Sequence, residues 1–193
     1  MQNPRWLIIV GLLIGSIMIT GFAQVFKGYR EERFPLIEAI QPKLEDARLA
    51  KFDICQENLQ IPQAVRQWCD PIEKVADIHQ LDPVLLAALI QIESAGRPDA
   101  VSTSGAVGLM QVMPRDGLAS QFQCINGPCF AGRPDMAALF DPVFNLEYGS
   151  AYLAGLTHRF DGDLREALKA YGPQDMAYQY ADLVLSTYQA YQP

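Results

Sequence analysis

The chain has 193 residues, half of them hydrophobic, with 15 Lys+Arg against 22 Asp+Glu and a formal net charge of −7. That length supports one good hydrophobic core but hardly two. No basic run occurs, which argues against nucleic acid as a partner, because phosphate binding needs clustered Lys and Arg. A substrate read through sugar hydrogen bonds and stacking remains open.

Arg5 precedes a nearly unbroken apolar run from Trp6 to Phe26, interrupted only by glycines, Ser16, Thr20 and Gln24. About 20 apolar residues suffice to span a bilayer as a helix. The rival reading is a cleaved secretory signal, with Gly21-Phe22-Ala23 as a small-x-small cleavage site. The run continues through Val25-Phe26, so an uncleaved transmembrane anchor over residues 1–26 is the first expectation and a signal peptide the second. A buried soluble helix is seldom apolar on every face. Both readings export the remainder if Arg5 stays inside, although Lys27, Arg30 and Arg33 on the far flank weaken the charge asymmetry. Residues 27–54 alternate charged and apolar side chains, with Pro35 and Pro42 limiting helix length, and read as a charged stalk.

The globular part is expected over residues 55–193. Cys55, Cys69, Cys124 and Cys129 form an even set suited to disulfides in an oxidising compartment. Of the three possible connectivities, the local pairs Cys55–Cys69 and Cys124–Cys129 are the expected ones. No Cys-x-x-Cys pair exists and the histidines are His79 and His158, so neither metal nor cofactor is expected.

Asp-Pro occurs at 70–71, 82–83 and 141–142, each time opening an apolar-periodic segment. An Asp N-cap satisfies exposed amides, and Pro at the first helical position forfeits no hydrogen bond. Asp70-Pro-Ile-Glu73 approaches a capping box, followed by Ile72, Val75, Ala76 and His79 on one face. A second helix is expected from Pro83 to about Ser94, ended by Ala95-Gly96. A third runs from Pro142 to about Phe160, with Phe144, Tyr148, Ala151, Tyr152 and Leu156 at core spacing. A fourth follows Asp163, with Leu164, Ala167, Leu168 and Tyr171 on its apolar side. A fifth spans Met176 to about Tyr191 and carries Tyr180, Leu183, Val184 and Tyr188. No strong alternating strand pattern or internal repeat appears, so the fold class is all-α. Between the second and third helices, residues 102–141 form a Gly-rich connection holding Cys124-Ile-Asn-Gly-Pro-Cys129, which reads as a stapled loop of mainly structural use.

The passage with most chemical content is Glu93-Ser94, ending the apolar run Val84–Ile92, followed by Ser102-Thr-Ser-Gly-Ala-Val-Gly-Leu-Met-Gln-Val-Met-Pro114. A single acid sits behind Leu85, Leu86, Leu89, Ile90 and Ile92, where apolar neighbours would raise its pKa and keep it able to donate a proton. With the serines, glycines and Gly108-Leu-Met-Gln111 in this order, the chain resembles the lytic transglycosylase family, the SLT-type, goose-lysozyme-like glycoside hydrolases that cleave peptidoglycan.

The resemblance covers roughly residues 65–190 and implies a lysozyme-like helical domain with a Gly-rich groove loop. It implies that Glu93 is the single catalytic acid/base and that Ser102 and Ser104 lie nearby and place the substrate N-acetyl group. Gly108 would let the chain pass close to the sugar, and Gln111 and Met113 would line the glycan groove. Leu168-Lys-Ala-Tyr171 resembles the family's Ala-Tyr-Asn segment, whose tyrosine hydroxyl is close to the acid. Asn145-Leu-Glu-Tyr-Gly149-Ser-Ala-Tyr152-Leu153 resembles a segment that mainly packs its helix. For Met110, Met113 and Tyr152 plain core packing is an equal alternative. One departure stands out: Gly172-Pro173 follows Tyr171 where the family has Asn.

The implied substrate is peptidoglycan glycan strands in the cell envelope, reached from the periplasm or the outer face of the cytoplasmic membrane. The acids nearest Glu93 in sequence, Asp99, Asp116 and Glu147, lie in no recognisable partner motif, whereas ordinary glycosidases pair two carboxyls. The expected reaction is therefore cleavage of the N-acetylmuramic acid–N-acetylglucosamine bond with 1,6-anhydro ring closure. The alternatives are a lysozyme-type hydrolase using Asp99 or Asp116, or a membrane-tethered module that binds glycan without cleaving it.

Overall fold

The computed structural model describes residues 55–192. The expected membrane or signal helix over 1–26 and the stalk over 27–54 lie outside the described residues. Among the described residues no helix is long and apolar enough to cross a membrane.

Among the described residues seven helices carry the fold: α1 Gln63–Arg66, α2 Cys69–His79, α3 Pro83–Glu93, α4 Met136–Leu139, α5 Pro142–Arg159, α6 Leu164–Tyr171 and α7 Tyr178–Ala190. A 3-10 turn at Gly117–Gln121 and a two-stranded hairpin, β1 Gln123–Cys124 with β2 Gly127–Pro128, interrupt the connection between α3 and α4. The mainly α architecture matches the periodicity of the sequence. The hairpin and α1 and α4 are too short to show in a periodicity window.

Helix α3 is the axis of the core. Residues Val84 to Ile90 are all buried, and α3 packs against α7, α2 and α1. Its start follows the Asp-Pro rule: the Asp82 carboxylate accepts from the Val84 amide at 2.8 Å, with Pro83 at the first helical position. Asp82 also accepts the Tyr188 hydroxyl at 2.5 Å, fastening the end of α7 to the start of α3. Asp141 and Asp163 cap α5 and α6 in the same way.

Asp70 departs from that rule. Helix α2 starts one residue earlier, at Cys69, so Asp70 lies inside the first turn and makes no cap, while Trp68 occupies the N-cap position without capping the helix, its indole donating instead to the Gly96 carbonyl at 2.9 Å. Pro71 is still tolerated because the first amides of a helix have no intrahelical acceptor. Cys69 begins the helix because it is fixed from outside. It forms a disulfide with Cys55, both are fully buried, and the Cys55 amide donates to the buried Glu73 carboxylate at 2.8 Å.

The buried face of α5 also differs from expectation. Phe144 and Tyr152, at core spacing in the sequence, are exposed, and so is Ala151, whereas Asn145, Leu146, Gly149, Ser150, Leu153 and Leu156 are buried. The helix is turned so that polar Asn145 and small Gly149 meet an incoming loop rather than another helix. In α7 the expected core residue Leu183 is exposed, while Tyr180, Ala181 and Val184 are buried.

The structure pairs Cys55 with Cys69 across 14 residues and Cys124 with Cys129 across five. Closing a loop of that longer length restricts the unfolded chain by about 3 kcal/mol, and the shorter one by about 2. Chemical denaturation should therefore show Cys55→Ala/Cys69→Ala losing about 3 kcal/mol, and more than Cys124→Ala/Cys129→Ala.

Candidate active site

Glu93 is the last residue of α3, and its side chain is carried out of the core where the helix ends. Ser94 terminates the helix: its buried hydroxyl donates to the Leu109 carbonyl at 2.8 Å. This bond ties the residue after the acid to the Gly-rich loop. The loop is fixed on its far side by Asn145, which is wholly buried. The Asn145 amide oxygen accepts from the Met110 amide at 2.8 Å, and its nitrogen donates to the carbonyls of Val107 at 2.8 Å and Leu139 at 3.0 Å. A buried amide with its hydrogen bonds satisfied costs little, whereas an aliphatic side chain there would strand three backbone groups.

The glycines serve this docking. Gly108 has φ +80, and a Cβ on it would fall 2.3 Å from the Asn145 amide nitrogen. Gly108, expected from the resemblance to let the chain pass close to the sugar, is buried against Asn145 and makes room for that side chain. Gly149 on α5 does likewise for Met110, whose sulfur would lie 2.6 Å from a Cβ.

The other expected site residues are distributed as follows. Ser102 is half-buried, with its hydroxyl oxygen accepting from the Ala106 amide at 2.9 Å, and Ser104 is exposed two residues further on. Gln111 has φ +47, and its side-chain nitrogen donates to the carbonyls of Gly108 at 3.0 Å and Ala100 at 3.2 Å. That nitrogen therefore closes the loop on itself rather than facing a groove. Met113 is half-buried. The Tyr171 hydroxyl donates to the Met110 carbonyl at 2.9 Å and so holds the loop, while lying near enough to Glu93 to feel its charge.

The hydroxyl that reaches Glu93 comes from Tyr180 on α7, which donates to Glu93 Oε1. Tyr180 is buried, and the periodicity of α7 marks it only as core. Its approach explains Gly172. A Cβ at position 172 would stand 2.2 Å from the Tyr180 ring Cδ1 and 2.5 Å from Cγ. An Asn there would begin with that same carbon, so the glycine and the tyrosine position belong together.

Electrostatically, Glu93 is set by two opposed effects. Burial pushes its carboxyl up to about 7, and the Tyr180 hydrogen bond restrains the rise. Among the described residues no other carboxylate contributes to that shift. Asp99 is exposed, Asp116 accepts from the Met136 amide at 2.8 Å, and Glu147 pairs with His79 at 2.9 Å. Burial and the adjacent Glu93 charge push both Tyr171 and Tyr180 well above the ordinary phenol range, so both remain hydrogen-bond donors.

A half-buried acid at a helix end, held by a tyrosine and facing a docked Gly-rich loop, suits proton donation to a bond bound alongside. The transglycosylase SLT domain model matches residues 70–177, more than half of the chain. This chain belongs to the SLT transglycosylase family. Its SLT domain is 34% identical over 100 residues to the membrane-bound lytic murein transglycosylase E of Buchnera aphidicola subsp. Acyrthosiphon pisum, covering 52% of this chain and 44% of that protein. It is 37% identical over 98 residues to the endo-type membrane-bound lytic murein transglycosylase A of Klebsiella pneumoniae subsp. pneumoniae, covering 50% and 47% respectively. The chain spans less than half the length of these relatives. The fold is also that of the 70 kDa soluble lytic transglycosylase of Escherichia coli, with a TM-score of 0.51 and 21% identity over 63% of this chain and 23% of that one.

Two outcomes are expected. In the unfolded chain Glu93 ionises near 4.5, but in the folded SLT domain only near 7. The folded state thus binds the extra proton between these values, and stability falls as pH rises through that window, by on the order of 2–3 kcal/mol. Glu93→Gln should be more stable than wild type at pH 8 and not at pH 4, as read by thermal denaturation at both. Gly172→Ala should lose about 1–3 kcal/mol by overpacking against Tyr180, measured by the same method.

Proposed function

We propose that this protein is a peptidoglycan lytic transglycosylase in which Glu93 acts alone as acid and then base. The reading is carried by one observation: a single half-buried carboxyl near neutral pKa, held on one oxygen by Tyr180, in a family whose named relatives are lytic murein transglycosylases.

Near neutrality about half of the Glu93 carboxyls carry a proton, given a pKa of about 7. Tyr180 engages Oε1, which leaves Oε2 to carry the proton toward the glycosidic oxygen. Protonation releases the N-acetylglucosamine leaving group and leaves an oxocarbenium-like muramic acid. The carbonyl oxygen of the substrate's own N-acetyl group stabilises that cation, and Ser102 and Ser104 are assigned to place it. Glu93, now ionised and still bonded to Tyr180, takes the proton of the C6 hydroxyl, whose oxygen closes the 1,6-anhydro ring on C1. The proton balance is zero over the cycle and no water is consumed. Gln111, Gly108 and Tyr171 support this chemistry by holding the loop, and Met113 is assigned to the groove wall.

The apolar run at residues 6–26 would tether the SLT domain at the cell envelope, on the outer face of the cytoplasmic membrane, with residues 27–54 as spacer.

The test is mass spectrometry of the products after the purified protein digests peptidoglycan sacculi. Muropeptides ending in 1,6-anhydro-muramic acid are expected, and reducing ends that have gained water would assign lysozyme-type hydrolysis instead. Glu93→Gln should retain its fold and lose at least a thousandfold in turnover, since a general acid and base contributes about 10²–10⁴ per role. Because the free enzyme must carry the Glu93 proton, kcat/KM should decline about tenfold per pH unit above the Glu93 pKa.

A further inference from the structure

The stapled loop presents a cation that the reaction above does not use. Phe130 and Arg133 share a turn, in which the Arg133 amide donates to the Phe130 carbonyl at 2.9 Å. The Arg133 guanidinium carbon lies 4.8 Å from the Phe130 ring centre and 4.9 Å from that of Tyr152. Tyr152 in turn lies 5.6 Å, centre to centre, from Tyr171, whose hydroxyl holds the loop carbonyl beside the active site. Phe130 is packed edge-on against Phe122 at 5.9 Å, and the Cys124–Cys129 disulfide with its hairpin lies between them. The result is a row of rings from Phe122 to Tyr171 with one guanidinium clamped in it.

Arg133 makes no ion pair within the described residues. The neighbouring Asp135 is engaged elsewhere: it pairs with Arg115 at 2.8 Å and caps α4 through the Ala138 amide at 2.9 Å. A guanidinium stacked between two rings is oriented in advance, and its donor edge remains available for a carboxylate. Such a cation is conspicuous on a chain of net charge −7.

We propose that Arg133 is a substrate-binding residue that recognises a carboxylate of the peptide stem attached to muramic acid, in a subsite framed by Phe130 and Tyr152. The inference rests on the proposed peptidoglycan substrate. Glycan sugars are uncharged, and in stem-bearing strands the lactyl carboxyl is consumed in the amide link, so the free carboxylates belong to the peptide. Two ring spacings separate Arg133 from Tyr171. That displacement suits a branch leaving the glycan rather than the sugar being cleaved. The disulfide then has a function beyond the chain entropy expected of it, since it holds Phe130 and Arg133 in place before the substrate arrives.

The test is calorimetric binding to the full chain carrying Glu93→Gln, which leaves the ligands uncut. The probes are a stem-bearing glycan tetrasaccharide and uncharged chitotetraose. Adding Arg133→Ala should weaken the stem-bearing ligand about tenfold, as befits loss of one charge-assisted contact, and alter chitotetraose less than twofold. Arg133→Lys, which keeps the charge, should recover part of the preference and controls for loss of the loop's packing. Equal weakening of both ligands, no change in either, or no binding of either would overturn the assignment. The products of the wild-type digest judge the transglycosylase reading independently, because they do not depend on which ligand Arg133 prefers.

Discussion

A carboxyl placed where water is scarce governs this structure. Helix α3 is apolar on every face from Val84 to Ile90, so it can only lie in the middle of the domain, and whatever side chain ends it is carried to the margin of the core. Ending it with Glu93 puts a group that prefers ionisation in surroundings that oppose it. Desolvation lifts its pKa toward neutrality, and the surrounding elements then limit how far. Helix α7 contributes that limit through Tyr180, and α7 is fastened in register by Tyr188 on the Asp82 cap at the opposite end of α3.

The second constraint is the loop that must stand opposite the acid. Residues 105–112 bury Gly, Ala, Val, Leu and Met in an irregular backbone, which requires partners for its amides and carbonyls. Asn145, Ser94 and Tyr171 supply them from three other segments, and the side-chain amide of Gln111 from within the loop. This accounts for the small residues Gly108 and Gly149, each facing a side chain that a Cβ would displace. The loop is therefore as much a part of the core as the helices, and the site is built on rigid material.

Sequence patterns exposed the helical frame because Asp N-caps are local chemistry. Asp82, Asp141 and Asp163 are read correctly from their neighbours alone, while Asp70 is misread because a disulfide to Cys55 fixes the start of α2 instead. The face of α5 is misread for a related reason. Helical spacing favours Phe144 and Tyr152, but the docking loop calls for a polar Asn145 and a small Gly149 to face inward. The half-buried setting of Glu93 is legible because its helix announces its own burial. Tyr180 is not, since a tyrosine at core spacing looks the same whether or not its hydroxyl meets an acid 87 residues away. The one available hint was Gly172, a missing side chain that becomes intelligible once the Tyr180 ring is found against it.

The most direct measurement is the carbon-13 NMR titration of the Glu93 side-chain carboxyl in the folded protein, assigned by its disappearance in Glu93→Gln. A midpoint near 7 is required if burial sets its ionisation against the restraint of Tyr180. A midpoint near the ordinary 4.5 would mean that water reaches the carboxyl freely, and the account of Glu93 as a proton donor at neutral pH would be contradicted.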